Sequence, residues 1–167
     1  MLLFAWWSSL TIGLSSDEYF HHINGLVRYK FLISFGEIQK FEFRNNEFYP
    51  GLYDTISYAL GQIVFLINKK FYANNIDVVM HFVNISFSTL SILGLYLLTQ
   101  KLFNKKIALI TTLLTLLNPF FFGHMGMNSK DIIVFFAFIW SCYYFYLYCT
   151  EDNNLSKNLI FFSLFFG

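Results

Sequence analysis

Apolar runs and charged residues alternate along the 167-residue chain and divide it into long windows that carry no charge. A helix needs about 20 mostly apolar residues to cross a bilayer, so these windows predict membrane spans. We predict a short first span at 1–16, full spans at 77–100, 106–123 and 132–150, and the start of a further span at 158–167. The predicted fold class is all-α: a polytopic transmembrane helix bundle that forms a single integral membrane domain over 1–167 and is truncated in its last span.

The segment 55–68 is too short to span comfortably, and its apolar residues fall on one helical face. These residues are Ile56, Leu60, Ile63, Val64 and Ile67. The pattern is typical of an amphipathic helix that lies on the membrane surface, and a fully spanning helix is the alternative. We therefore predict that 17–76 is one external loop, rich in aromatic residues, with short juxtamembrane helices.

Charge predicts the orientation of these spans. Lys101, Lys105 and Lys106 lie in a short loop, and basic short loops are typically cytoplasmic. The segments 17–76 and 124–131 then lie together on the external side. If 55–68 spans instead, the two acidic motifs, at 17–18 and 124–131, lie on opposite faces.

Composition narrows the class of protein further. The chain is 56% hydrophobic and only 13% charged, about half the usual charged fraction, and its net charge is +1. These values exclude a disordered or nucleic-acid-binding chain and predict an integral membrane protein. Cys142 and Cys149 are seven positions apart in one apolar stretch, too far to form a disulfide within a helix.

Asp17 and Glu18 follow directly after the first predicted span. One interpretation is structural, because Ser15 as N-cap and Glu18 three positions later fit a capping box. The other is functional: a carboxylate placed at the interface, at the start of a helix, could accept a proton from a hydroxyl group. Both interpretations stay open at this point.

A second polar group lies between two apolar spans and contains His124, Asn128, Lys130 and Asp131. Pro119 and Gly123 are expected to end or kink the preceding helix. Asn128 would cap the next helix with Asp131 at its third position, and Lys130 could simply anchor the interface. Chemistry and capping are equally compatible with this pattern.

Four further polar residues have simpler explanations. We expect His21 and His22 to be a solvated or interfacial pair, although a metal site is conceivable because Asp17 and His21 share a helix face. We expect His81 to be a satisfied residue between helices and Asp54 to cap the helix that follows it. The sequence contains no phosphate-binding glycine loop, nucleophile elbow or zinc-type Cys/His spacing.

The order of these motifs resembles that of the GT-C membrane glycosyltransferases, which include protein O-mannosyltransferases and aminoarabinose transferases. The resemblance rests on Asp17-Glu18 after a short span, on the stretch Tyr49-Pro50-Gly51-Leu52-Tyr53-Asp54, on Phe122-Gly123-His124, and on Asn128-Ser129-Lys130-Asp131. It covers nearly the whole chain, although the family's catalytic core has more spans than this chain contains.

The resemblance implies inverting transfer of a sugar from a polyprenyl-phosphate donor at the external face of a cell membrane, most simply a bacterial one. Asp17 matches the catalytic base, Glu18 its partner, and Asp131 the acidic residue of the second external loop. From charge we add Lys130, His124 and Asn128 as the donor phosphate site. The acceptor would be a lipid, glycan or protein hydroxyl. No cofactor is assigned, and a divalent metal stays open because only some relatives use one.

Two other classes of function compete with this interpretation. A transport component would carry ionisable residues near the bilayer midplane, whereas here the acidic residues cluster at the ends of the spans. A non-catalytic membrane assembly protein is the remaining alternative.

Overall fold

The computed structural model describes residues 1–13, 15, 17–37, 51–151 and 154–167. In these ranges every regular element is an α-helix. The helices are α1 (Leu2–Thr11), α2 (Glu18–Ile33), α3 (Gly51–Ile67), α4 (Lys69–Asn74), α5 (Ile76–Leu102), α6 (Lys105–Leu117), α7 (Pro119–His124), α8 (Ser129–Thr150) and α9 (Leu155–Phe166). The all-α prediction is confirmed for this part of the chain. Tyr49 and Pro50, which contribute to the family resemblance, lie outside the described residues.

Helix α5 is central and contacts α1, α3, α6 and α8. It runs parallel to α8: the loop before α8 lies beside the first half of α5, and Glu151 after α8 lies 2.6 Å from Lys101 near the end of α5. Helix α1 runs the opposite way, because Trp6 contacts Thr89 whereas Ser9 packs against Gly126. The ends of α1 and α7 and the start of α8 therefore meet beside the first half of α5.

Two of the described helices, α5 and α8, are long and apolar enough to cross a membrane. They match the predicted spans 77–100 and 132–150. Helix α1 has 10 residues, about 15 Å, and is thus shorter than the predicted span 1–16. Helix α9 begins close to the predicted start of the further span at 158–167.

The predicted span 106–123 contains two helices, with a break at the expected Pro119. Helix α6 ends at Leu117, and α7 begins at Pro119 after a break at Asn118. Proline removes an N–H donor and disfavours helical backbone in the residue before it, so the chain stops and restarts here. The Asn118 side chain accepts hydrogen bonds from the backbone N–H groups of Phe120 and Phe121 and so caps α7. Gly123, the other expected breaker, lies within α7.

The loop 17–76 contains short helices, as expected, in its described parts. Helix α3 turns its small and polar side toward the protein: Asp54, Ser57 and Gly61 are buried. Ile63 and Ile67, on the predicted apolar face, are exposed. Helix α2 packs closely against α3, and a Cβ atom on Gly25 would collide with the backbone of Asp54. Ile56 and Leu60, on the same predicted face, pack against a buried cluster, so the second half of this face is the part available to lipid.

Candidate active site

All six site residues that were predicted from the sequence line one pocket. It has a volume of about 290 Å³ and lies between the start of α2, the end of α7 and the start of α8. Its walls include the proposed site residues Asp17, Glu18, His124, Asn128, Lys130 and Asp131, together with Ser15, His21, Gly123, Met127 and Ser129. The two acidic motifs thus share one pocket, which an arrangement on opposite sides of a membrane would not allow.

Lys130 connects the two motifs directly. Its Nζ atom lies 3.4 Å from Oδ2 of Asp17. The Asp17 side chain is 70% exposed and that of Lys130 is 32% exposed. An ion pair this accessible to water contributes little to stability, with a typical value of about 0–1 kcal/mol. Its main consequence is therefore to place a carboxylate and an ammonium group side by side at the pocket surface.

Asn128 organises the start of α8. Its Oδ1 atom accepts hydrogen bonds from the backbone N–H groups of Lys130 and Asp131, so the predicted N-cap with Asp131 at the third position is confirmed. Capping fixes which end of the amide is oxygen. The amide nitrogen then donates to Oδ2 of Asp131 at 2.7 Å and faces Nδ1 of His124 at 2.8 Å.

This contact defines the hydrogen-bonding role of His124. An amide nitrogen only donates, so Nδ1 of His124 accepts, and the ring proton is on Nε2. The Asp131 carboxylate is farther from Nδ1, at 4.0 Å. The ring also lies against Phe120, with 4.2 Å between centroids. In this arrangement the Nε2–H group of His124 is the one left to donate to a ligand.

Glu18 is not a surface carboxylate. Its side chain is 1% exposed, with Oε1 lying 2.7 Å from Nε2 of His81. His81 lies buried between helices, as expected, but it is not fully satisfied: within the described residues neither of its ring nitrogens makes a hydrogen bond of good geometry. The expected capping box forms only by half: Oε2 of Glu18 accepts from the backbone N–H of Ser15 at 2.6 Å, but Asp17, not Ser15, is the N-cap of α2. Glu18 therefore links the residues just before α2 to His81 of α5.

His21 and Asp54 form a second buried pair, which sequence analysis missed. Nδ1 of His21 lies 2.7 Å from Oδ1 of Asp54, and their side chains are 4% and 0% exposed. The prediction of a solvated His21 is thus wrong, as is that of Asp54 as a cap, because Asp54 lies inside the first turn of α3. The sequence offered one signal of a role for His21, namely its position on the same helix face as Asp17 and Glu18. It offered none for its partner Asp54, which is 33 positions away.

Burial shifts the pKa values of two side chains near this pair, Tyr53 and His22. Burial raises the pKa of the Tyr53 hydroxyl, and the Glu18 and Asp54 carboxylates raise it further. Tyr53 accordingly keeps its proton and donates it to the carbonyl oxygen of Met80 at 3.1 Å, which links α3 to α5. Burial lowers the pKa of His22, the neighbour of His21.

Within the described residues, no three His, Cys, Asp or Glu side chains lie close enough together to hold a metal ion. The conceivable metal site around His21 is not formed, because that side chain pairs with Asp54. Lys130 instead offers its ammonium group to an anion, since the backbone N–H groups of Lys130 and Asp131 already donate to the Asn128 side chain.

The protein family follows from a comparison of the sequence with family models. Residues 56–167 match the model described as dolichyl-phosphate-mannose-protein mannosyltransferase. His124, Asn128, Lys130 and Asp131 lie within the match, whereas Asp17 and Glu18 precede it. No curated protein and no solved structure matches the chain. Members of this family are integral membrane proteins with glycosyltransferase function. With two thirds of its length matched, this chain belongs to the dolichyl-phosphate-mannose-protein mannosyltransferase family.

Proposed function

We propose that this protein transfers a sugar from a polyprenyl-phosphate donor to an acceptor hydroxyl group, with the shared pocket as its active site. The observation that carries the proposal is the meeting of the two acidic motifs: Asp17 and Asp131 line one pocket, and Lys130 lies 3.4 Å from Asp17. Capping alone would not require them to meet, because each helix could be capped locally.

Asp17 is suited to be the general base. Its carboxylate is exposed to the pocket and lies at the N-terminus of α2, where the helix dipole favours a negative charge. It would take the proton of the acceptor hydroxyl as that oxygen forms a bond to the anomeric carbon. The bond between that carbon and the phosphate oxygen breaks in the same displacement, so the configuration inverts.

The leaving group is a lipid phosphate, which carries negative charge and needs positive or N–H groups around it. Lys130 supplies an ammonium group, and His124 supplies its Nε2 proton in the arrangement described above. The N-termini of α2 and α8 both border the pocket, and helix N-termini attract anions. Asn128 and Asp131 would hold His124 and the start of α8 in place.

The external face is the proposed location of this pocket. Lys101, Lys105, Lys106 and Lys157 lie at the ends of helices away from the pocket, near the Lys101–Glu151 contact. Positive charge near membrane helices favours the cytoplasmic side. The pocket would then face outward, where a lipid tail stays in the bilayer and its phosphate reaches the surface. The family's name points to mannose and a protein acceptor, while lipid and glycan hydroxyls fit the same chemistry.

Donor discrimination tests this proposal. The protein is reconstituted into vesicles and supplied with an acceptor and either polyprenyl-phosphate mannose or the corresponding nucleotide mannose. We expect transfer from the lipid donor alone. Transfer from the nucleotide sugar in membranes stripped of polyprenyl phosphate would refute the proposal.

A further inference from the structure

One face of α5 contacts both of the segments that carry the acidic motifs. His81, Asn84 and Ser88 are spaced three and four positions apart, so they lie on one side of the helix. We call them the α5 anchor face, and each of them is fully buried, at 0% exposure. Such polar side chains inside an apolar bundle are costly unless they are bonded to something specific.

His81, at the N-terminal end of this face, contacts the first acidic motif, Asp17-Glu18. Nε2 of His81 lies 2.7 Å from Oε1 of Glu18, and the other oxygen of Glu18 accepts from the backbone N–H of Ser15. Glu18 is adjacent to Asp17 in the chain. Displacing Glu18 from α5 would therefore move the backbone that carries Asp17.

Asn84 and Ser88, farther along α5, contact the segment that leads into the second motif. The Ser88 hydroxyl donates to the carbonyl oxygen of Met125 at 2.8 Å, and the Asn84 amide donates to the same oxygen at 3.1 Å. Met125 is the C-cap of α7, where carbonyl groups have no partner within the helix. These two bonds fix the short segment that leads from His124 to Asn128.

We infer that the α5 anchor face is a template that aligns Asp17 with Lys130 and Asp131, so that His81, Asn84 and Ser88 are positioning residues. None of the three lines the pocket, and they act through Glu18 and Met125. The inference rests on the proposed function for its effect on catalysis, but the alignment itself is a property of the structure. Displacements of about 1 Å in a catalytic group can reduce turnover by about a hundredfold.

Ser88 and Ser91 provide a matched pair of variants. Both are on α5 and both are fully buried, but the Ser91 hydroxyl donates to the carbonyl oxygen of Phe87 within its own helix, at 2.7 Å. Ser88→Ala should lower kcat several-fold with little change in KM, whereas Ser91→Ala should not. His81→Leu should lower kcat by about a hundredfold, and His81→Gln, which retains an N–H donor, should restore most of it.

A distance measurement separates this inference from the proposed function. Spin labels at Leu32 and Met127, both exposed, are placed in a Cys142→Ser, Cys149→Ser background, and the distance distribution is recorded by pulsed electron paramagnetic resonance. Kinetics are measured on unlabelled protein. We expect the distribution to broaden or shift in Ser88→Ala and His81→Leu, and to be unchanged in Ser91→Ala.

An unchanged distribution and unchanged kcat in Ser88→Ala and His81→Leu would overturn the template. Should His81→Leu fail to fold, Ser88→Ala keeps the test sharp, because alanine is the best helix former. A changed distribution in a protein that transfers no sugar from the lipid donor would support the template and reject the proposed function.

Discussion

Lys130 and Asp17 are 113 positions apart in sequence, and their side chains lie 3.4 Å from each other at the surface of the pocket. The contact joins the N-terminus of α8 to the N-terminus of α2. Because the pair is exposed, it does little for stability, and both groups are accessible to a ligand. A phosphate entering the pocket would compete with Asp17 for the ammonium group and leave the carboxylate available for a proton.

Replacement of Lys130 tests the proposed phosphate contact. Lys130→Ala should reduce kcat for the lipid-phosphate donor by about a hundredfold, since removing one donor to a developing negative charge typically costs that much. The KM for the acceptor should change much less. Lys70→Ala is the matched control, because Lys70 is an exposed lysine in α4 outside the pocket. Equal rates in both variants would contradict the assignment.

Two of the close charge pairs, His21–Asp54 and Lys101–Glu151, should differ widely in their effect on stability. His21→Ala breaks a buried pair and strands the Asp54 carboxylate, which is 0% exposed, so it should lower the free energy of unfolding by about 3–5 kcal/mol. Lys101→Ala breaks a pair in which both side chains are more than 40% exposed, and should cost no more than about 1 kcal/mol. Reversible unfolding in mixed micelles measures both; comparable losses would show that the buried contact is not formed.

Two glycines near the pocket should respond oppositely to alanine. A Cβ atom on Gly126 would collide with Ser9 of α1, so Gly126→Ala should push the α7–α8 segment away and cost about 1–3 kcal/mol. A Cβ atom on Gly123 meets nothing within 4 Å. Gly123→Ala should be neutral or stabilising by up to about 1 kcal/mol, since Gly123 lies in a helix. Thermal unfolding distinguishes the two, and the reverse order would contradict the packing of α1 on this segment.

Much of this fold can be predicted from local signals. The charge-free windows predicted α5 and α8, and the Asn128 cap with Asp131 followed from residue types within one turn. The break at Asn118 follows from Pro119, although a window based on charge alone runs through it. The site residues were proposed because polar groups at the ends of apolar helices are few in this sequence, and they line one pocket.

The buried pairs could not be predicted in the same way. Glu18 and Asp17 are adjacent and chemically alike, yet one is 1% exposed and the other faces water. Their difference depends on His81, which belongs to another helix. Asp54 fits a cap by sequence but meets His21 because Gly25 lets α2 approach α3 closely. Such partners are set by helix packing, which no local pattern encodes.

The proposed orientation predicts which cysteine substitutions are accessible from outside. In a Cys142→Ser, Cys149→Ser background, Tyr19→Cys and Met127→Cys should both react with a membrane-impermeant maleimide on intact cells, because both side chains are exposed at the pocket end. Phe103→Cys, an exposed position next to the lysine cluster, should react only after permeabilisation. Labelling of positions 19 and 127 from opposite sides would contradict the shared pocket.

The central claim is that the two acidic motifs form one catalytic pocket. Its most direct test is the rate of sugar transfer from polyprenyl-phosphate mannose, measured for the reconstituted variants Asp17→Asn and Asp131→Asn. Asn is as good an N-cap as Asp at position 17, and at the third position of α8 Asp131→Asn removes a charge but little else, so both variants should fold and insert normally. Asp77→Asn removes the same charge from the start of α5, outside the pocket, and is the control. We predict that Asp17→Asn loses about 10²–10⁴-fold in kcat, as expected for a general base, that Asp131→Asn is also severely impaired, and that Asp77→Asn retains wild-type turnover. Normal turnover by well-folded Asp17→Asn and Asp131→Asn would contradict the claim and return both residues to a structural role.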